Sequence, residues 1–199
     1  MELPTLDNKL NFKDHINNIS NKVKSANGIL WKLSQFCPSE VLTKIYYSLV
    51  YPYLIYGVEI WGNSSRVALD RLGRLVLTAQ KRTKTNETIP SIDIKHHLSV
   101  SQIHKLFSLV RCYKYYKLKS NDYFFEKFSS LLPNHDINTR FNASNQLNTP
   151  RITVEKMRCS FFYSVFNYWK DLPVPIRDSE NISSFKRRVQ QHIEMNLNP

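Results

Sequence analysis

The sequence predicts an all-α chain, a helical bundle followed by a smaller C-terminal helical unit. Three observations lead there. Apolar residues recur at alternating spacings of three and four along much of the 199-residue chain, the period of a helix with one buried face. Only four glycines are present, too few for an all-β chain turned by tight Gly hairpins or for a Gly-rich phosphate loop, and neither GxGxxG nor GxSxG occurs. Hydrophobic residues at 42% and aromatics at 13% are enough for a folded core, in one domain or two small ones.

The elements follow in order. Over residues 14–35, Ile16, Ile19, Val23, Ala26, Leu30 and Leu33 step by 3, 4, 3, 4 and 3, an amphipathic helix. Pro38-Ser39 predicts a second start, with Ser39 as N-cap, for a run bearing Leu42, Ile45, Leu49, Tyr53, Tyr56 and Ile60. Pro52 removes one backbone donor and pushes against the preceding turn, so a kink or two abutting helices are expected, ending near Gly62. Asn63-Ser64-Ser65 caps a third helix with Leu69, Leu72, Val76 and Ala79 on its core side. Residues 83–98 read as a loop containing Pro90. Ser99-x-x-Gln102 is a capping box opening a fourth helix, with Ile103, Leu106, Phe107, Val110 and Tyr113 inward and Lys105, Ser108, Arg111, Cys112, Tyr115 and Lys119 outward. A short helix is expected over 122–132, an aromatic one over 160–171, a Pro-rich turn over 172–175 and a last helix over 183–196. The organisation is then a bundle at 1–132, a polar, Asn-rich linker at 133–150 and a C-terminal helical segment at 151–199.

Charge gives the first functional indication. The formal net charge is +12, and residues 81–120, with nine basic and two acidic side chains, hold +7 of it. So concentrated a cationic segment points to a polyanion. On the third helix Arg71, Arg74, Lys81 and Arg82 fall within an arc of about 100° opposite the apolar stripe. Lys84 follows in the loop, and the fourth helix adds Lys105, Arg111, Tyr115 and Lys119. Tyr115 has a cation four residues to either side, an arrangement suited to a base or sugar above a phosphate. A solvated cation–π pair is the plainer reading of the same spacing.

Catalytic chemistry finds little footing. No two acidic residues are adjacent, so the carboxylate pair that would converge on Mg²⁺ is missing, and Asp122 with Glu126 suits helix-dipole compensation. Cys37, Cys112 and Cys159 form neither a disulfide framework nor a zinc ribbon, and His96, His97, His104 and Cys112 match no tetrahedral spacing. The expectation is a binder with no catalytic residue, no metal and no cofactor. No secretion signal or 18-residue apolar span is present, so an intracellular location, nuclear or cytoplasmic, and no membrane partner are expected.

A family resemblance sharpens this. Tyr47-Ser48-Leu49, Pro52-Tyr53-Leu54-x-Tyr56-Gly57 and Trp61-Gly62 resemble the segment beyond the catalytic palm of non-LTR (LINE-type, jockey-like) retrotransposon reverse transcriptases. In the same order come Asp7, Leu10-x-Phe12-x-x-His15-Ile16, Leu69-x-x-Leu72, Gln80-Lys81-Arg82, Thr139-Arg140, Trp169-x-x-Leu172-Pro173 and Phe185-Lys186. The resemblance implies that the N-terminal helices are a thumb against the product duplex and that the remainder grips template RNA or target DNA. It begins just after the place of the palm's aromatic-x-Asp-Asp motif, where Met1 stands, and within these 199 residues neither an endonuclease domain nor a Cys/His knuckle is expected. The expected function is that of a non-catalytic fragment of an RNA-directed DNA polymerase, binding RNA or DNA backbone without sequence specificity. The alternatives are a helical protein-interaction module, with Tyr47, Tyr51, Tyr53 and Tyr56 facing a palm-containing reverse transcriptase or driving self-association, and a decayed transposon reading frame with no nucleic-acid role.

Overall fold

The computed structural model describes residue 7 and residues 11–83, 98–129 and 160–195, and all regular structure among them is α-helical. Helix α1 (Lys13–Leu33) buries Ile16, Ile19, Val23, Ala26 and Leu30, the face expected from its period. Helix α2 (Ser39–Leu49) contributes Leu42 and Tyr46 to the same core. Its first helical residue is Ser39 itself, with Pro38 at the cap position and no side-chain cap bond, so the expected Ser39 N-cap is corrected by one residue. The Pro38 carbonyl accepts from Val41 and Leu42, and this backbone anchoring leaves no capping role for the hydroxyl.

Pro52 does separate two abutting helices. It lies in the first turn of α3 (Tyr51–Ile55), where a missing N–H costs nothing. A second break then separates α3 from α4 (Val58–Trp61): Gly57 adopts φ 62°, a left-handed conformation that favours glycine. This turn lets the Trp61 indole fold back, fully buried, so that Nε1 donates to the Tyr56 carbonyl at 2.8 Å. The edge of His15 meets the same indole with ring centroids 6.0 Å apart. Gly62 completes the knot, because a Cβ there would lie 2.3 Å from the His104 ring. The Tyr56-Gly57 and Trp61-Gly62 pairs are therefore packing residues.

Helix α5 (Arg66–Thr83) lies beside α1 with Leu72, Val76 and Ala79 buried against it. The two run parallel. The Ser64 hydroxyl donates to the Asn11 carbonyl ahead of both helices, whereas further along Asn27 Nδ2 donates to the Leu75 carbonyl at 3.0 Å and Arg82 Nη1 donates to the Asn27 carbonyl. Gln80, buried on α5, donates to the Tyr46 hydroxyl at 3.1 Å and to the Leu98 carbonyl at 3.0 Å, tying in the approach to α6 (Val100–Tyr116). The capping box forms as expected: the Ser99 N–H donates to Gln102 Oε1 at 2.7 Å, and the Gln102 N–H to Ser99 Oγ at 3.4 Å.

The packing divides between His104 and Lys105, inside the stretch 1–132 read from sequence as one bundle. The reason lies in the second half of α6, whose Tyr113 stacks on Phe185 at 4.4 Å and donates to the Ser179 carbonyl at 2.6 Å. The C-terminal unit comprises this half of α6 with α7 (Asp122–Ser129), α8 (Phe161–Lys170), α9 (Val174–Arg177) and α10 (Ile182–Met195). Ser160 caps α8 by accepting from the Tyr163 N–H, and Asn121 and Asn181 cap α7 and α10 in the same way. The Pro-rich turn winds into α9, where buried Arg177 donates from Nε to the Leu172 carbonyl at 3.0 Å. Trp169 and Phe185 are fully buried, their rings 5.9 Å apart. The expected linker at 133–150 and the loop around Pro90 lie outside the described residues.

Two measurements check this packing. Gly28 sits mid-helix on α1 with nothing near its missing side chain, so Gly28→Ala is expected to stabilise by about 0.5–1 kcal/mol, whereas Gly62→Ala, pressed onto His104, is expected to cost about 1–3 kcal/mol, both read by denaturant unfolding. Burial also pushes the His104 imidazole down to about 4 and lowers His15 as well. The unfolded chain therefore takes up protons first. Stability is expected to be fully present above about pH 6.5 and to fall through pH 4, by on the order of 3 kcal/mol for His104, with His104→Asn flattening the decline.

Candidate nucleic-acid interface

The cationic face of α5 follows from helix geometry. Leu72, Val76 and Ala79 point into the core at 0–1% exposure, and Arg71, Arg74 and Lys81 are exposed on the other side. Arg82 differs from its neighbours. It is half-buried and spends one guanidinium N–H on the Asn27 carbonyl, so it fastens α5 to α1 besides carrying charge. Lys84 lies outside the described residues.

In the C-terminal unit the predicted cations lie over aromatic rings. Lys105 Nζ is 5.4 Å from the Tyr168 centroid, the Arg111 guanidinium 6.0 Å from that of Tyr115, and Lys119 Nζ 4.8 Å from that of Phe125. Lys186, which sequence reasoning did not select, sits 5.7 Å from the Phe107 ring. Such contacts keep the charge at the surface while covering apolar rings, each worth about 0.5–1 kcal/mol when exposed. The Arg111–Tyr115 pair forms, but Tyr115 is not an open stacking platform. Phe124 stacks on it at 4.4 Å and 5° between planes, and Phe162 continues the stack 5.5 Å beyond Phe124. Ser108 and Cys112, expected on the outer face of α6, are fully buried, as is Leu109, while Phe107 and Val110 are only half-buried. The reason is the anchoring of Tyr113 on Phe185 and Ser179, which turns the 109, 112 and 113 side inward.

Among the candidate metal-binding types, His96 and His97 lie outside the described residues, and His104 is buried against Gly62. Burial pushes the Cys112 thiol far up, so it stays protonated. Among the described residues no three His, Cys, Asp or Glu side chains gather as a metal site would require, and no helix is long and apolar enough to cross a membrane.

One feature escaped the sequence. A groove of about 330 Å³ runs between α1 and α5, lined by Lys24, Gly28 and Trp31 on one side and Leu75, Thr78 and Arg82 on the other. The signal was present as Lys24, Gly28 and Trp31 at i, i+4 and i+7, one face of α1, but it means little until α5 is placed beside it. Several apolar side chains are more exposed than the four tyrosines. Tyr47, Tyr51, Tyr53 and Tyr56 are half-buried, Tyr47 against Tyr51 at 5.1 Å and Lys22 over Tyr53 at 5.1 Å, whereas Phe36 and Val67 are 84% and 78% exposed. In comparisons with known proteins, the chain matches no family model, no curated protein and no solved structure.

Proposed function

We propose that this chain binds the backbone of RNA or DNA without reading bases, as a non-catalytic counterpart of the thumb and C-terminal region of a non-LTR-type reverse transcriptase. The solvent face of α5 carries the reading. Arg71, Arg74 and Lys81 stand exposed on a helix whose opposite side is locked into the core, so the charges keep a fixed spacing along a rigid rod. Phosphates approaching such a face displace condensed counterions, which makes binding steeply salt-dependent and indifferent to sequence. The ordered sequence motifs that resemble the family supply the second support.

A second reading has its own observation. Phe36 and Val67, the two most exposed apolar side chains among the described residues, are the contacts a protein-interaction module would use, binding a partner or a second copy and not a polyanion.

Salt titration separates the two. With about four phosphates neutralised, the slope of log K against log salt is expected near −3 to −4 for any sequence offered. Reversing Arg71, Arg74 and Lys81 together to Glu should remove most binding, while reversing Lys186, Arg187 and Arg188 should cost less, because residues 121–199 hold ten basic against eight acidic side chains. Equal losses contradict the assignment to α5, and salt-independent or undetectable binding leaves the interaction module ahead. A primer-extension assay with RNA template, dNTPs and Mg²⁺ or Mn²⁺ should give no product, since the sequence holds no adjacent carboxylates to bind the metal. Template-dependent extension above a no-protein control refutes the non-catalytic reading.

A further inference from the structure

Two features of the α1/α5 groove have no explanation in packing, and a third adds charge to them. Gly28 lies in the middle of a 21-residue helix, yet no heavy atom comes within 4 Å of where its Cβ would be. A glycine there costs about 1 kcal/mol against alanine, and no close approach of another element requires it. Trp31 is 54% exposed, whereas Trp61 and Trp169, the other two tryptophans, are fully buried. Lys24 and Arg82 border the same space from the two helices, and Arg82 is held in place by the Asn27 carbonyl. A floor without a side chain, an exposed indole and a pre-positioned guanidinium converge on one opening.

We infer that this groove seats one nucleotide unit of a single strand, with the base against Trp31 and its flanking phosphate between Lys24 and Arg82. The inference rests on the nucleic-acid reading above and narrows it from backbone in general to single-stranded nucleic acid. Indole stacking tolerates every base, because each presents a π-face, but a base inside a duplex is already stacked on its neighbours. The groove, about 330 Å³ between two touching helices, brings Trp31, Lys24 and Arg82 to one opening. The guanidinium of Arg82 has five N–H donors and uses one on Asn27, and its fixed position reduces the freedom lost when a phosphate binds. The Thr78 hydroxyl donates to the Arg74 carbonyl of its own helix at 2.9 Å, so recognition falls to Trp31 and the two cations. Gly28 keeps the floor clear for the sugar.

The full chain supplies its own probe, because Trp31 dominates the solvent-accessible tryptophan emission. A labelled oligothymidylate of about 12 nucleotides is titrated by anisotropy while that emission is followed, beside a duplex of equal length. The parent should show quenching on binding the single strand. Gly28→Leu, which meets open space and should melt at or above the parent temperature, is expected to weaken single-strand binding about tenfold and to remove the quenching. Trp31→Ala should weaken it by a similar factor, Trp31→Phe should retain most affinity, and duplex binding should be unchanged in all three. If folded Gly28→Leu and Trp31→Ala both bind the single strand as the parent does, the groove is not the site, and the α5 backbone reading stands. If the parent binds neither probe, both readings fall.

Discussion

The pairing of α1 with α5 depends on a reciprocal exchange, each helix sending a side chain to a carbonyl of the other. Asn27 reaches from α1 to the Leu75 carbonyl, and Arg82 reaches back from α5 to the Asn27 carbonyl. Apolar packing of Val23, Ala26 and Leu30 against Leu72, Val76 and Ala79 supplies most of the attraction, but such contacts are non-directional. Two parallel helices can satisfy them in registers one turn apart. The two side-chain-to-carbonyl bonds select one, because a slip of a turn leaves the half-buried guanidinium and amide without partners, at about 1–3 kcal/mol for each neutral group and more for the charged one. Both the cationic face of α5 and the groove beside it inherit their geometry from that choice.

The run from Tyr47 to Gly62 has a physical role of its own. Gly57 supplies a left-handed turn, Trp61 folds back to the Tyr56 carbonyl, and Gly62 leaves room for His104, so five residues fix how α3, α4 and the start of α6 meet. A buried tryptophan of this kind contributes about 3–5 kcal/mol against its truncation to alanine. A motif built on such demands marks a way of packing. The functional reading rests first on charges at positions that packing leaves unconstrained.

Local signals were legible in the sequence and long-range ones were not. The α1 face, the Ser99–Gln102 capping box and the break at Pro52 are decided within a few residues, and each appears as its spacing indicates. The Gly57 break lay hidden inside an apolar run, because left-handed φ leaves no periodic trace. The face of α6 was misjudged where Phe185 and Ser179, more than sixty residues away, decide which side turns inward. For the candidate site the same division holds. Arg71, Arg74 and Lys81 are exposed as their helical phase requires, whereas the engagement of Arg82 by Asn27 and of Tyr115 by Phe124 needs partners that no spacing reveals. The groove beside Trp31 is the extreme case, since neither helix alone contains it.

Two sets of cations thus play different parts. Those of the C-terminal unit rest on aromatic rings that are themselves packed, as with Arg111 over the Tyr115–Phe124 stack. On α5, Arg71, Arg74 and Lys81 stand exposed, and half-buried Arg82 borders the groove that the accessible Trp31 indole lines. Photocrosslinking tests this division most directly. A single-stranded oligonucleotide carrying bromouracil is irradiated with the full chain, and the attachment sites are mapped by mass spectrometry. The division requires attachment on α1 and α5, centred on Trp31. Attachment confined to the α7 and α8 aromatics, or none at all under low salt, contradicts it.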